Sequence, residues 1–156
     1  MMTVIGNTPS GLIPKELFKE ENIQEYWNVL YATLNQKSIG VDEFDDFFLI
    51  YPKPKDIETT HEISLMYKNM REKFSKQADA ICFNVYEKSL SLLVLKEMKI
   101  AFTGYFTFSV EEDMVYHLAN VAQHFFEDIS QITFYYKHLS SKVLHFLKKY
   151  FQMKQF

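Results

Sequence analysis

Three successive runs of period-two hydrophobicity between residues 81 and 108 constrain this chain more than any other feature. Ile81, Phe83 and Val85 form the first run, Leu90, Leu92 and Val94 the second, and Ile100, Phe102, Gly104, Phe106 and Phe108 the third. Successive side chains of a strand point to opposite faces, so this alternation places one face of each run on a core. Short connections between the runs predict an antiparallel meander.

On either side the period lengthens to that of a helix. Upstream, Asn22 and Glu25 have capping-box spacing, and Ile23, Trp27, Leu30 and Leu34 recur helically, which predicts a helix ending near Ser38, with Pro14 in an early turn and Gly40 beyond. Asp42 is placed to cap a short helix over 43–50, which Pro52 and Pro54 would terminate. Thr59 and Glu62 again have capping spacing, and Ile63, Met66, Met70 and Phe74 predict a helix over 59–77 with Lys68, Arg71, Lys73 and Lys76 on its outer face. Downstream, Ser109 and Glu112 precede the stripe Met114, Leu118, Val121, Phe125 and Ile129. The run 130–137, SQITFYYK, reads as a fourth strand or as the start of a last helix, which is firmer from Ser140 or Ser141 through Val143, Leu144, Leu147 and Phe151.

The fold expected is therefore α+β: N-terminal helices, a small antiparallel meander, and two C-terminal helices packed on the sheet. A wholly helical bundle is the rival, with 80–108 as buried helix. The length of 156 residues suits one globular domain. Gly6, Pro9, Ser10 and Gly11 make residues 1–13 an extended or mobile leading segment. At 47% hydrophobic and 17% aromatic residues, the chain has ample material for a core.

Charge and cysteine content narrow the setting. A formal net charge of −3 argues against a general nucleic-acid binder. The surplus acid belongs to residues 1–56, where nine carboxylates face five lysines. Cys82 is the sole cysteine, so no internal disulfide forms and a reducing compartment fits. With no secretory leader pattern and no long apolar run, the expected location is the cytoplasm, away from membrane.

No motif names a reaction. The pairs His117/His124 and His138/His145 are spaced i, i+7, about 10 Å apart along a helix, too far to chelate one metal ion. Glu58/His61 and His124/Glu127 have i, i+3 spacing, but lack the further carboxylates of a di-metal site. The segment GNTPSG at 6–11 lacks the Lys-Ser/Thr of a phosphate loop and reads as a turn. Cys82, inside AICFNV, reads as a small core residue rather than a nucleophile. The C-terminal lysines Lys137, Lys142, Lys148, Lys149 and Lys154 suit a helix end, and no arginine accompanies them to read phosphates. No metal, cofactor or catalytic residue is expected.

These absences point to a protein that acts by binding. Its most concrete form is an immunity protein that neutralises a toxin or nuclease by covering a basic active site. The partner-binding residues would be Asp42, Glu43, Asp45, Asp46 and Tyr51, in the acidic and aromatic stretch VDEFDDFFLIY, where Phe44, Phe47 and Phe48 would anchor a helix and leave the acids to meet a basic partner surface. Two alternatives belong to other classes. One is a small-molecule enzyme or sensor with an aromatic pocket between the sheet and the last helices, near Tyr116, His117 and Tyr136. The other is an adaptor or chaperone subunit.

Overall fold

The computed structural model describes residues 2–74 and 78–156. Lys76 and the end of the helix expected over 59–77 lie outside them. The fold is α+β, and the meander is present as β6 (Ala80–Val85), β7 (Ser89–Lys96) and β8 (Lys99–Thr107). Val85 pairs with Leu90, and Leu95 with Ile100 past a bulge at Val94/Leu95. SQITFYYK supplies a strand, β9 (Thr133–Tyr136), which lies parallel to β6 with Ile81 opposite Phe134. A last strand, β10 (Gln152–Gln155), runs parallel to β9, giving the order β10-β9-β6-β7-β8.

The sheet is covered on both faces. One face packs Ile81, Phe83, Leu90, Leu92 and Val94 against α3 (Glu111–Phe125) and α4 (Ser141–Leu147) through Met114, Leu118, Val121 and Leu147. The other packs Cys82, Leu93 and Leu95 against Ile63, Met66 and Met70 of α2 (Glu62–Lys73). Double coverage explains why β7 is buried almost from end to end instead of alternating. Helix starts lie close to their expected positions. Ser140 Oγ accepts from Val143 N, and at α3 it is Asp113 whose carboxylate accepts from Ser109 N and Val110 N.

The N-terminal third departs from the helical reading. The leading segment contains two strands, β1 (Thr3–Ile5) and β2 (Gly11–Pro14). The helix expected to reach Ser38 spans only α1 (Ile23–Leu30), because the buried Trp27 indole donates to Leu34 O at 3.0 Å and turns the chain back. Asn22 makes no side-chain cap bond. Pro14 ends β2 at a sheet edge, where its missing N–H leaves no ladder bond unmade.

No helix occupies 43–50. Residues 39–52 form a hairpin of β3 (Ile39–Glu43) and β4 (Phe47–Pro52), with sheet order β2-β4-β3. The run Phe47-Phe48-Leu49-Ile50-Tyr51 is rich in strand-favouring types, and Leu49, Ile50 and Tyr51 are all buried. The spacing of Phe44, Phe47 and Phe48 was helical by coincidence. Likewise Thr59 does not cap a helix but opens β5 (Thr59–His61), parallel to β1, and α2 starts at Glu62 with His61 as its cap.

Gly40 lies opposite Tyr51 in the hairpin, and a Cβ there would sit 2.4 Å from the Tyr51 ring. That ring is fully buried with its hydroxyl bonded. Gly40→Ala should therefore destabilise the fold by about 1–3 kcal/mol, read from the urea midpoint. An unchanged midpoint would mean that the ring moves aside freely.

Candidate functional site

The carboxyl end of β6 faces the segment that joins β1 to β2, and a polar cluster fills the junction. At its centre is Glu62, the first residue of α2, only 5% exposed. Glu62 Oε1 accepts from Asn7 N at 3.2 Å, and Oε2 accepts from Asn84 Nδ2 at 2.9 Å and from the Tyr86 hydroxyl. Asn7 has a φ of 55°, in the left-handed region that asparagine tolerates better than most residues. Its Oδ1 accepts from the Ser89 hydroxyl and from Tyr105 Oη at 3.4 Å. A Cβ on Gly6 would lie 2.5 Å from Tyr86 Oη, so glycine there is what lets the phenol reach Glu62. Burial, with the neighbouring Glu62, pushes the Tyr86 phenol well above its ordinary range and keeps it a donor.

A second polar cluster adjoins the first. Asp42 accepts from Tyr51 Oη, Thr60 Oγ1 and His61 N, each at 2.8 Å, and from Ser64 Oγ at 2.5 Å. Because His61 Nδ1 accepts from Ile63 N at 3.2 Å, its proton sits on Nε2, which donates to Thr8 Oγ1 at 3.3 Å. Burial holds His61 below its ordinary pKa, against the smaller upward pull of Glu62 and Asp42. The ring is therefore a neutral connector between the start of α2 and the 6–10 turn.

Two clefts open beside these groups. The one between β1, α2 and the five-stranded sheet has a volume of about 350 Å³, with Glu62, Asn69, Asn84 and Tyr86 among its polar lining and Lys137 and His138 at an exposed edge. Val4, Leu65, Met66 and Phe156 supply its apolar wall. The other, about 570 Å³, lies on the α3/α4 side and is lined largely by Val85, Phe108, Met114, Tyr136 and Val143. Its polar edge includes Glu111, which pairs with Lys142 at 2.7 Å. Tyr86, Lys137 and His138 border both.

The residues expected to bind a partner do not form one surface. Asp42 and Tyr51 are bonded to each other inside the fold. Glu43, Asp45 and Asp46 are exposed, but Glu43 pairs with Lys15 at 2.6 Å and Asp45 with Arg71 at 2.8 Å. Of the five histidines, His61 is part of the junction and the exposed His138 borders the clefts, while His117 stacks on Phe106. Among the described residues no three His, Cys, Asp or Glu side chains converge as metal ligands. Cys82 is buried, and desolvation pushes its thiol far above the reactive range. Tyr116 is exposed, so of the three pocket residues expected beside the last helices only Tyr136 lines a cleft. Asn7, Glu62, Asn84 and Tyr86 were not legible as a site, since Glu62 carried only a capping signal and the 6–11 segment only a turn signal.

Residues 3–153 match the family described as Protein of unknown function (DUF3822). The chain belongs to that family. Among solved structures, this DUF3822 chain is similar to a protein from Bacteroides thetaiotaomicron with an actin-like ATPase fold and unknown function, at a TM-score of 0.77 and 14% identity. The likeness covers 98% of this chain and 66% of that one, so the chain spans just under two thirds of its relative. Pelota from Archaeoglobus fulgidus aligns over 73% of this chain and 35% of its own, at a TM-score of 0.37 and 14% identity. No curated protein matches the sequence. Family and fold overturn the expectation of an immunity protein: the chain belongs to DUF3822, and its fold is similar to part of a protein with an actin-like ATPase fold. Among the described residues no helix is long and apolar enough to cross a membrane.

His61 gives this junction a pH dependence. Its folded pKa lies below the ordinary 6.5, so on acidification the unfolded chain takes up a proton before the folded chain does. The contribution is intact above the unfolded value and is lost as pH falls from there through the folded value. Stability should thus decline as pH falls below the unfolded value of about 6.5, down to the lower folded value. In His61→Gln that slope should flatten, even if the variant is less stable throughout. An identical slope in both proteins would assign the acid sensitivity to other groups.

Proposed function

We propose that this DUF3822 chain is a non-hydrolysing binding domain of the actin-like fold, which takes a small polar ligand in the cleft between β1, α2 and its five-stranded sheet. The observation that carries this reading is Glu62, a buried carboxylate lining that cleft and held by three neutral donors. The likeness to a protein with an actin-like ATPase fold makes nucleotide the first ligand to weigh. The chemistry of the junction opposes it. Phosphate sites use glycine-rich turns that present backbone amides, usually with a lysine and a metal held by carboxylate or hydroxyl ligands. Here the β6–β7 turn, Tyr86-Glu87-Lys88, has no glycine, and its phenol points back into the junction to meet Glu62. A buried carboxylate repels phosphate.

Binding is nonetheless well provided for. The cleft volume lies within the range of small-molecule sites, and few polar groups converge against an apolar wall. The test is a thermal-shift screen of metabolites that includes ATP with magnesium, with hits mapped by amide chemical shifts. Hits should perturb Gly6, Asn69 and Asn84, and ATP with magnesium should neither bind nor release phosphate. Nucleotide turnover, or hits that perturb only distant residues, would overturn the reading.

A further inference from the structure

We infer that this cleft recognises a small zwitterion, an amino acid in the broad sense, with its ammonium group directed at Glu62 beside Asn84 and its carboxylate toward Lys137 and His138. The inference rests on the binding role proposed above and adds the class of ligand. Its basis is an imbalance of donors and acceptors. Glu62 and Tyr86 can only accept and donate, respectively, in their shared bond, and Asn84 must offer Nδ2 to Glu62 because a carboxylate has no proton to give. That assignment fixes Asn84 Oδ1 as an acceptor. It is shielded from solvent and has no hydrogen-bond partner.

Glu62 Oε1 accepts a single bond, from Asn7 N, and retains capacity for another. Among the described residues no lysine or arginine lies within ion-pair distance of Glu62. A carboxylate removed from water is best compensated by a cation that also donates hydrogen bonds. An ammonium group supplies the charge and three donors, one of which can fill the open position on Glu62 Oε1 at the cleft. Val4, Leu65, Met66 and Phe156 would accommodate a short methylene chain. At the edge the sign reverses, because Lys137 is exposed and His138 adjoins it, which suits an anionic end. Simple anions fit the edge but not the floor. Simple amines fit the floor but gain nothing from the edge.

The experiment titrates the full chain with glycine, β-alanine, 4-aminobutyrate and 5-aminopentanoate, with propylamine, butyrate and ATP with magnesium as controls, following backbone and Asn84 side-chain amide resonances. Members of the amino acid series should shift the Asn84 side-chain amide saturably, with one chain length preferred. Propylamine should bind more weakly and butyrate should not bind at that site. Glu62→Gln should weaken the best amino acid by about tenfold or more, as expected for a lost charge-assisted bond. The surface variant Lys137→Gln, which leaves the floor intact, should weaken amino acids but not propylamine, and it keeps the test decisive if Glu62→Gln fails to fold. Butyrate binding as tightly as the amino acids, equal binding by Glu62→Gln, or no shift from any amine would overturn the inference. If other metabolites perturb the cleft while amines do not, the ligand class fails and the binding role stands. ATP with magnesium at the cleft would overturn both.

Discussion

The buried carboxylate of Glu62 is the interaction on which the rest of the arrangement depends. Withdrawing a carboxylate from water costs several kcal/mol, and each hydrogen bond to a charged group returns about 1.5–3 kcal/mol. Three donors offset that cost, and they come from three parts of the chain: the 6–10 turn, strand β6 and the β6–β7 turn. The net gain in stability is smaller than the specificity. Only one placement of the N-terminal strands against the five-stranded sheet satisfies the acid. Gly6 and the left-handed Asn7 are the backbone conditions of that placement, since a side chain at residue 6 would strike Tyr86.

The second cluster extends the same logic along α2. Asp42, on the hairpin, collects four donors and thereby ties β3 to β4, β5 and the first turn of α2. Neutral His61 bridges this cluster to the 6–10 turn through Thr8. The start of α2 is thus held from both sides by polar contacts, while Ile63, Met66 and Met70 hold its length by burial against the sheet. A rigid junction with unfilled acceptor capacity is suited to recognising a ligand, because its groups need little ordering when the ligand arrives.

Local patterns were legible in the sequence where contacts are local. The three antiparallel strands follow one another in the chain, and α3 and α4 carry clear apolar stripes, so the period alone placed them. The pairing of β6 with β9 and of β9 with β10 is parallel and non-local, and no short-range signal encodes it. The hairpin at 39–52 misled because Phe44, Phe47 and Phe48 share a helical spacing, whereas tertiary burial of Leu49, Ile50 and Tyr51 selects the strand. The site was hidden for the same reason as the parallel strands. Asn7 lies 55 residues from Glu62 and 82 from Ser89, and none of these residue types is conspicuous by itself. Of the acids that were conspicuous, Asp42 is drawn into intramolecular bonds, Glu43 and Asp45 lie at the surface beside Lys15 and Arg71, and Asp46 is exposed.

That Glu62 and its donors act as one unit is tested most directly by a double-mutant cycle of Glu62→Gln and Tyr86→Phe, with each protein unfolded in urea. The expected coupling exceeds about 1 kcal/mol, since the phenol's bond is charge-assisted only while the carboxylate is present. Losses that add to within about 0.3 kcal/mol would contradict it, and would make Glu62 and Tyr86 independent neighbours at the junction.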